Sequence, residues 1–337
     1  MLQPFEGGGE AVKNAIIACA KKYDADIVGF APASRFSEDD SIFKVMPNVK
    51  TVIGMGFRVL RGIYRGVEEG TTYYQYTTMG VENLEETVMP LALINVSNLI
   101  EEEGFEAIPQ RKNPLILNEE GITNPEVDYT DVYRGVKTEN QIDFLNCAVQ
   151  CGLGEKSMIG SLLNSDYGPF IRVCFILTDA ELEATELVVP SLCDKCGECI
   201  KACPGSAINA EGALDSWRCA VYYNGANGSK NPFMPPDAFP DFENRMEIIN
   251  GTAEFDSEEA KNILDHIYFY PPAKHFYRTS ICGRACDRAC YIHLEQKGVL
   301  GKSFVRPFRS GEDWCLSTTQ FETGKREKEW EFGGKKK

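Results

Sequence analysis

Apolar residues recur at helical spacing over residues 10–24, where Val12, Ile16, Ala20 and Tyr23 share one face. The period then shortens. Asp26 to Ala31 (DIVGFA) reads as a short buried strand, and Val49 to Phe57 (VKTVIGMGF) as a second. Residues 83–103 carry an apolar centre between Glu-rich ends, with Asn83 the expected cap and Gly104 the stop. A strand is expected from Phe105 to Ile108, a helix over 140–151, and another strand over Ile171 to Leu177 (IRVCFIL). This alternation predicts an α/β domain over residues 1–185. After Pro190 the periodicity breaks up, and Gly and Pro separate the elements. Residues 186–337 are expected to form a second, loop-rich domain. It includes an insertion at about 221–280, with the turn-forming run NGANGSKNPFMPPDAFP, and a C-terminal extension.

A chain of 337 residues accommodates two domains of roughly 150 each. With 43% apolar and 25% charged residues it has the composition of a folded globular protein, not of a disordered or fibrous one. Lys and Arg total 35 against 50 Asp and Glu, a net charge of −15. Such a balance repels phosphate backbones, so nucleic acid is not the expected partner. No run of about 18 apolar residues is present, and no basic segment leads into an apolar one. No membrane span and a cytoplasmic location are therefore expected. The cationic tail from Gly324 to Lys337 reads as a solvated end.

The 13 cysteines alter the picture. An odd number in a large chain argues for metal or redox chemistry rather than a disulfide framework. Residues 193–204 read CDKCGECIKACP, the C-x2-C-x2-C-x3-C-P spacing of a bacterial ferredoxin cluster. Three thiolates on a tight loop reach one cubane, while Cys203 starts the next helical turn and serves a different cluster. A zinc ribbon would use two separated C-x2-C pairs instead. Cys219 and the run Cys282, Cys286, Cys290 bring the thiols to the eight that two clusters need. The crossover assigns Cys193, Cys196, Cys199 and Cys290 to cluster one. It assigns Cys203, Cys219, Cys282 and Cys286 to cluster two. The second run has x3–x3 spacing, and Tyr291 stands where a Pro would follow, so a three-iron cluster or a non-cysteine ligand stays open there. Cys19 and Cys174 are expected in the core, and Cys315 carries no signal. Cys147 and Cys151, at i and i+4, share one helix face and suit either packing or a metal.

Two glycine pairs invite a nucleotide reading and do not sustain it. Gly152 and Gly154 follow a helix, whereas a dinucleotide fingerprint follows a strand. Gly54 and Gly56 follow a strand but lack the third glycine. Both pairs mark tight turns or places where backbone comes close to something.

Gly152–Leu153–Gly154–Glu155, SDYGPFIRVCFILTDAEL (165–182), the cysteine run and KYDADIVGFAPASRF (22–36) together resemble the corrinoid-dependent reductive dehalogenases and the related epoxyqueuosine reductases. The resemblance covers roughly residues 10–220 and the second cysteine run. It implies an α/β fold in which a nitroreductase-like cobalamin-binding domain precedes a bacterial ferredoxin-like two-cluster domain. It implies two [4Fe–4S] clusters and base-off cobalamin, with Gly152, Leu153, Gly154, Tyr167, Gly168 and Pro169 lining the corrinoid. No Asp-x-His-x-x-Gly motif surrounds His266, His275 or His293, so no protein histidine is expected on cobalt. For the proton donor the resemblance points to a Tyr supported by a cation, or to an Asp whose position falls near Thr138. Tyr129, Tyr133 and Glu139 are the candidates, with Arg172 as cationic partner.

The expected function is a cytoplasmic reductase of a small organic substrate, with dehalogenation as one option. Its electrons would come from a low-potential donor such as ferredoxin or flavodoxin. Reduction of epoxyqueuosine in tRNA is the second reading, and a two-cluster electron carrier without corrinoid the third.

Overall fold

The computed structural model describes residues 8–112, 141–267, 279–309 and 313–325. Tyr129, Tyr133, Thr138, Glu139 and His275 lie outside the described residues. Packing divides the chain into two compact units, residues 1–59, 83–116 and 123–194, and residues 60–82, 117–122 and 195–337. The division falls between Asp194 and Lys195, inside the first cysteine run, and residues 60–82 go with the C-terminal unit.

The first unit is built on four antiparallel strands in the order β1, β2, β6, β3. These are β1 (Ile27–Pro32), β2 (Thr51–Arg58), β3 (Ala107–Gln110) and β6 (Ile171–Thr178). A separate hairpin pairs β4 (Glu155–Lys156) with β5 (Leu162–Leu163). Side chains alternate across the sheet. Phe30, Ile53, Met55, Phe57, Cys174 and Ile176 face the helices Gly8–Lys22 and Met89–Glu102. Ala31, Val52, Phe175 and Leu177 face the helix Phe144–Gln150 and the turn after it. Both faces are covered, so β2 is buried along its length except at Arg58.

The elements expected from periodicity are present with shifted ends, and one cap differs. Asn83 has helical φ/ψ and makes no side-chain cap; a π-helical stretch, Leu84–Val88, precedes the α-helix Met89–Glu102. Pro90, which has no N–H to offer the ladder, stands in the first turn of that helix.

The second unit holds a core of Val221, Tyr222, Met234, Phe239, Ile248, Ile249, Ile263 and Phe321. Much of the expected insertion thus builds this core. It includes the helices Arg245–Asn250 and Ser257–Asp265. Asp256 and Glu259 form a reciprocal capping box on the latter. Residues 60–82 are tied into the unit from afar. The indole N–H of Trp314 donates to the Val67 carbonyl at 2.9 Å, and the ring covers Gly70, whose φ is +67°. No described helix is long and apolar enough to cross a membrane.

Candidate metal centres and glycine loops

No disulfide joins any of the 13 cysteines. Cys147, Cys151 and Cys174 are fully buried among apolar side chains, and burial pushes each thiol far above its usual range. The Cys151 thiol donates to the Val52 carbonyl at 3.3 Å. Cys147 and Cys151 therefore sit in the core, and Cys315 is exposed.

In the C-terminal unit the helix Ser216–Tyr223 acts as a hub. Asp215 caps it by accepting the Arg218 N–H at 2.9 Å. Its Tyr222 ring lies against Gly205, where any Cβ would stand 1.8 Å from the ring. The phenol donates to the Ile248 carbonyl at 3.0 Å, and burial lifts its pKa to about 12. Gly205 follows Cys203 and Pro204, so this contact carries Cys203 to the helix bearing Cys219. At the other end the Tyr223 carbonyl accepts the N–H groups of Ile281 and Cys282, at 3.1 and 3.4 Å. That brings in the second cysteine run.

The result is a thiol cluster. Burial and then Cys282, with Cys203 behind it, push the Cys219 thiol up to about 12. Burial raises Cys282 and Cys286 as well, with Cys203 acting on the first, and Cys282 and Cys219 on the second. Cys203, Cys219 and Cys282 thus act on one another, and Cys286 responds to Cys219 and Cys282. Two backbone N–H groups already point at sulfur, Ala207 to Cys203 at 3.3 Å and Ala285 to Cys282 at 3.4 Å. Four gathered thiols, two of them accepting backbone N–H groups, suit the thiolate ligand set of an iron–sulfur core, whose cationic irons would favour their deprotonation.

A buried ion-pair network holds the second run. Arg288 Nε donates to Glu68 at 2.7 Å, and its Nη1 donates to the carbonyls of Cys282 and Gly283 at 2.7 and 2.8 Å. Arg309 also pairs with Glu68. Burial alone would raise the Glu68 carboxyl, but Arg288 and Arg309 outweigh it and hold the group below the usual carboxylate range.

Cys193, Cys196, Cys199 and Cys290 are placed as follows. Lys195 and Gly197 both take positive φ, +59° and +78°, which turns the loop tightly enough to start the helix Glu198–Lys201. Cys199 on that helix is buried and Cys196 is exposed. The helix Ala285–Lys297, which bears Cys290, packs against Glu198–Lys201. In the N-terminal unit Cys193 Sγ accepts the Met158 N–H at 3.3 Å.

The β4–β5 hairpin brings together the residues assigned to a corrinoid. Gly152, Leu153 and Gly154 precede β4, and Tyr167, Gly168 and Pro169 follow β5. Buried Asn164 stitches them, donating from Nδ2 to the Leu153 carbonyl at 2.9 Å and accepting the N–H groups of Asp166 and Tyr167 at 2.9 and 3.3 Å. Both glycines meet the chain itself. A Cβ at Gly152 would stand 2.4 Å from the Glu186 carbonyl oxygen, and one at Gly154 would stand 2.2 Å from that of Leu163. At both positions a side chain would collide with neighbouring backbone, which accounts for glycine there. Tyr167 donates to Asp26 at 3.3 Å; burial and then the Asp26 charge raise its pKa, so the phenol keeps its proton. Arg172, the expected cationic partner, is paired with Glu85 at 3.1 Å.

Gly54 is explained by packing too. It pairs across the sheet with Gly29, and the turn Cys151–Leu153 rests on both. A Cβ at Gly29 would stand 2.0 Å from the Cys151 carbonyl oxygen.

The thiol arrangement suits iron–sulfur ligation, and comparison with known proteins agrees with it. Residues 187–209 match the 4Fe-4S binding domain family. The chain is 32% identical over 88 residues to an epoxyqueuosine reductase of Synechococcus sp. (strain RCC307), covering 26% of this chain and 27% of that protein. It is 39% identical over 67 residues to a tetrachloroethene reductive dehalogenase of Desulfitobacterium hafniense, covering 19% of this chain and 12% of that one. The matched stretch is thus about a quarter of the first relative's length and less of the second's. A solved catabolic reductive dehalogenase in complex with 3-bromo-4-hydroxybenzoic acid is similar at a TM-score of 0.46 and 15% identity, covering 88% of this chain and 38% of that one. The matches to named homologues support assignment to the reductive dehalogenase/epoxyqueuosine reductase superfamily. The expectation against nucleic acid is not supported, because epoxyqueuosine reductases are among the relatives.

Proposed function

We propose that the protein is an iron–sulfur reductase with two [4Fe–4S] clusters, which uses cobalamin to cleave a small organic substrate reductively. The single observation that carries the iron–sulfur part is that the helix bearing Cys219 gathers the Cys203 turn, through Gly205 on Tyr222, and the Cys282–Cys286 run, through the Tyr223 carbonyl, with Cys203 inside the matched 4Fe-4S segment. In this reading they hold one cluster, and Cys193, Cys196, Cys199 and Cys290 hold the other. The N–H groups of Ala207 and Ala285 stabilise the ligating sulfurs, and the Glu68–Arg288 pair fixes the backbone at Cys282.

Bound cobalamin would supply a nucleophilic metal that accepts two electrons and passes them to the substrate. Its place in this protein rests on the relatives, and its proposed lining by Gly152, Leu153, Gly154, Tyr167, Gly168 and Pro169 on the resemblance. The overall balance for a halogenated substrate is R–X + 2e⁻ + H⁺ → R–H + X⁻. The electrons would come from a low-potential donor of the ferredoxin or flavodoxin class. Arg172 and Tyr167 are held by Glu85 and Asp26. The proton donor is therefore sought among Tyr129, Tyr133 and Glu139.

Reduction of epoxyqueuosine in tRNA is the second reading, favoured by the epoxyqueuosine reductase match. Anaerobic purification after corrinoid supply, with iron and cobalt quantified together, tests the proposal. About eight irons and about one cobalt per chain are expected. Iron without cobalt would leave an electron carrier, and about four irons would remove the two-cluster claim. Offering the loaded protein a halogenated aromatic and an epoxyqueuosine-bearing tRNA, with a low-potential reductant, separates the two substrates.

A further inference from the structure

Glu155 is buried, with 2% of its surface exposed, and among the described residues its partners are N–H groups rather than cations. It sits on β4, directly after Gly154, and pairs across the hairpin with Leu163. Its carboxylate accepts the N–H of Ser191 at 2.6 Å and that of Cys193 at 2.8 Å. The Leu192 N–H reaches both oxygens, each at 3.0 Å. Three successive amides therefore converge on one anion, the backbone nest otherwise used for bound anions. The third amide belongs to the first cysteine of the ferredoxin run. The Cys193 sulfur takes its own N–H from Met158, three residues beyond Glu155, at 3.3 Å.

We propose that Glu155 is a positioning residue for Cys193, fixing the first turn of the cysteine loop and holding the cluster ligated by Cys193 at low potential. The inference rests on the iron–sulfur reading above. Two effects act in the same direction. The carboxylate takes the 191–193 amides, which are then not available to cluster sulfurs, and N–H···S bonds and local charge set cluster potential. The fixed negative charge also opposes the extra electron of the reduced cluster. A reductase needs such a strongly reducing cluster, and the nest stabilises the carboxylate that makes it so.

The test is a potentiometric titration of the anaerobically purified full chain, followed by electron paramagnetic resonance with titanium(III) citrate as reductant. Glu155→Gln removes the charge and turns an NH2 toward the amides. One reduction step should move to more positive potential by about tenfold in its equilibrium constant, about 59 mV for one electron, and the other step should stay. Glu155→Asp keeps the charge and should return most of the shift; a merely structural role would leave it as damaged as Gln. Selective loss of one cluster's iron in Glu155→Gln, restored in Glu155→Asp, supports the same conclusion. Full iron with both steps unmoved overturns it. A measurement that needs no variant is amide exchange in the wild-type protein, where the N–H groups of 192 and 193 should be slow; fast exchange also overturns the proposal. Wild-type protein without clusters would instead defeat the iron–sulfur reading, so the two failures are distinguishable.

Discussion

Arg288→Leu tests whether the second cysteine run is held electrostatically. The substitution keeps an apolar stem but removes the guanidinium from Glu68 and from the Cys282 and Gly283 carbonyls. Glu68 and Arg288 have side chains only 4% and 9% exposed, so the pair is buried. Breaking a buried pair by removing one partner costs about 3–5 kcal/mol, because a charge is left without compensation. Arg309 stays on Glu68, which points to the lower half of that range. In a unit of 150–250 residues each kcal/mol is worth about 2–4 °C in melting temperature. The expected loss is therefore roughly 6–16 °C, read by calorimetry or near-ultraviolet dichroism on the apo protein. Adding Glu68→Gln should recover part of it, with a coupling energy of about 0.5–3 kcal/mol for residues in one network. A loss under about 1 kcal/mol, or double and single variants that add without coupling, would refute the reasoning.

Acid should reveal the same pair. Because the folded Glu68 carboxyl is depressed, its contribution is fully present above the unfolded value of about 4.3 and is lost as pH falls through the lower folded value. The stability gap between wild type and Glu68→Gln should thus close below about pH 4 in urea titrations. Gly29→Ala should destabilise the N-terminal unit by about 3 kcal/mol or more, since it meets a backbone carbonyl. Gly54→Ala, whose nearest contact is the movable end of Leu153, should cost about 1 kcal/mol in the same melts. In folded apo protein at pH 8, iodoacetamide should modify exposed Cys315 and spare Cys147, Cys151 and Cys174; mass spectrometry reads the outcome.

The strands and the first helix were legible because their side chains obey a local period that burial on two faces enforces. The cysteine run was legible because cluster geometry dictates its spacing. The assignment of residues 60–82 to the C-terminal unit was not, since it depends on Trp314 and Arg288, more than 200 residues away. The helix Ser257–Asp265 did leave a local sign, the Asp256 and Glu259 capping box. Glu155 left only a carboxylate beside a glycine. Its function depends on which amides the hairpin brings to it, and no spacing encodes that. The glycines carry the same lesson. Gly29, Gly54, Gly152 and Gly154 all mark a close approach, but what approaches is another part of the chain.

Net charge misleads for a related reason. A sum of −15 describes the chain, whereas a site responds to charges within about one Debye length. Arg284 and Arg288 act on Cys282, and Arg284 on Cys286, lowering the thiol pKa values against the pull of burial, while each arginine is itself paired, with Asp287 and Glu68. Residues 299–309 carry Lys302, Arg306 and Arg309 and no acid, with Phe304 and Val305 exposed among them. A polyanion or an acidic electron donor meets local fields of this kind, not the total. The acidic balance therefore weighs on colloidal behaviour, and the choice between tRNA and a small substrate must come from turnover with each.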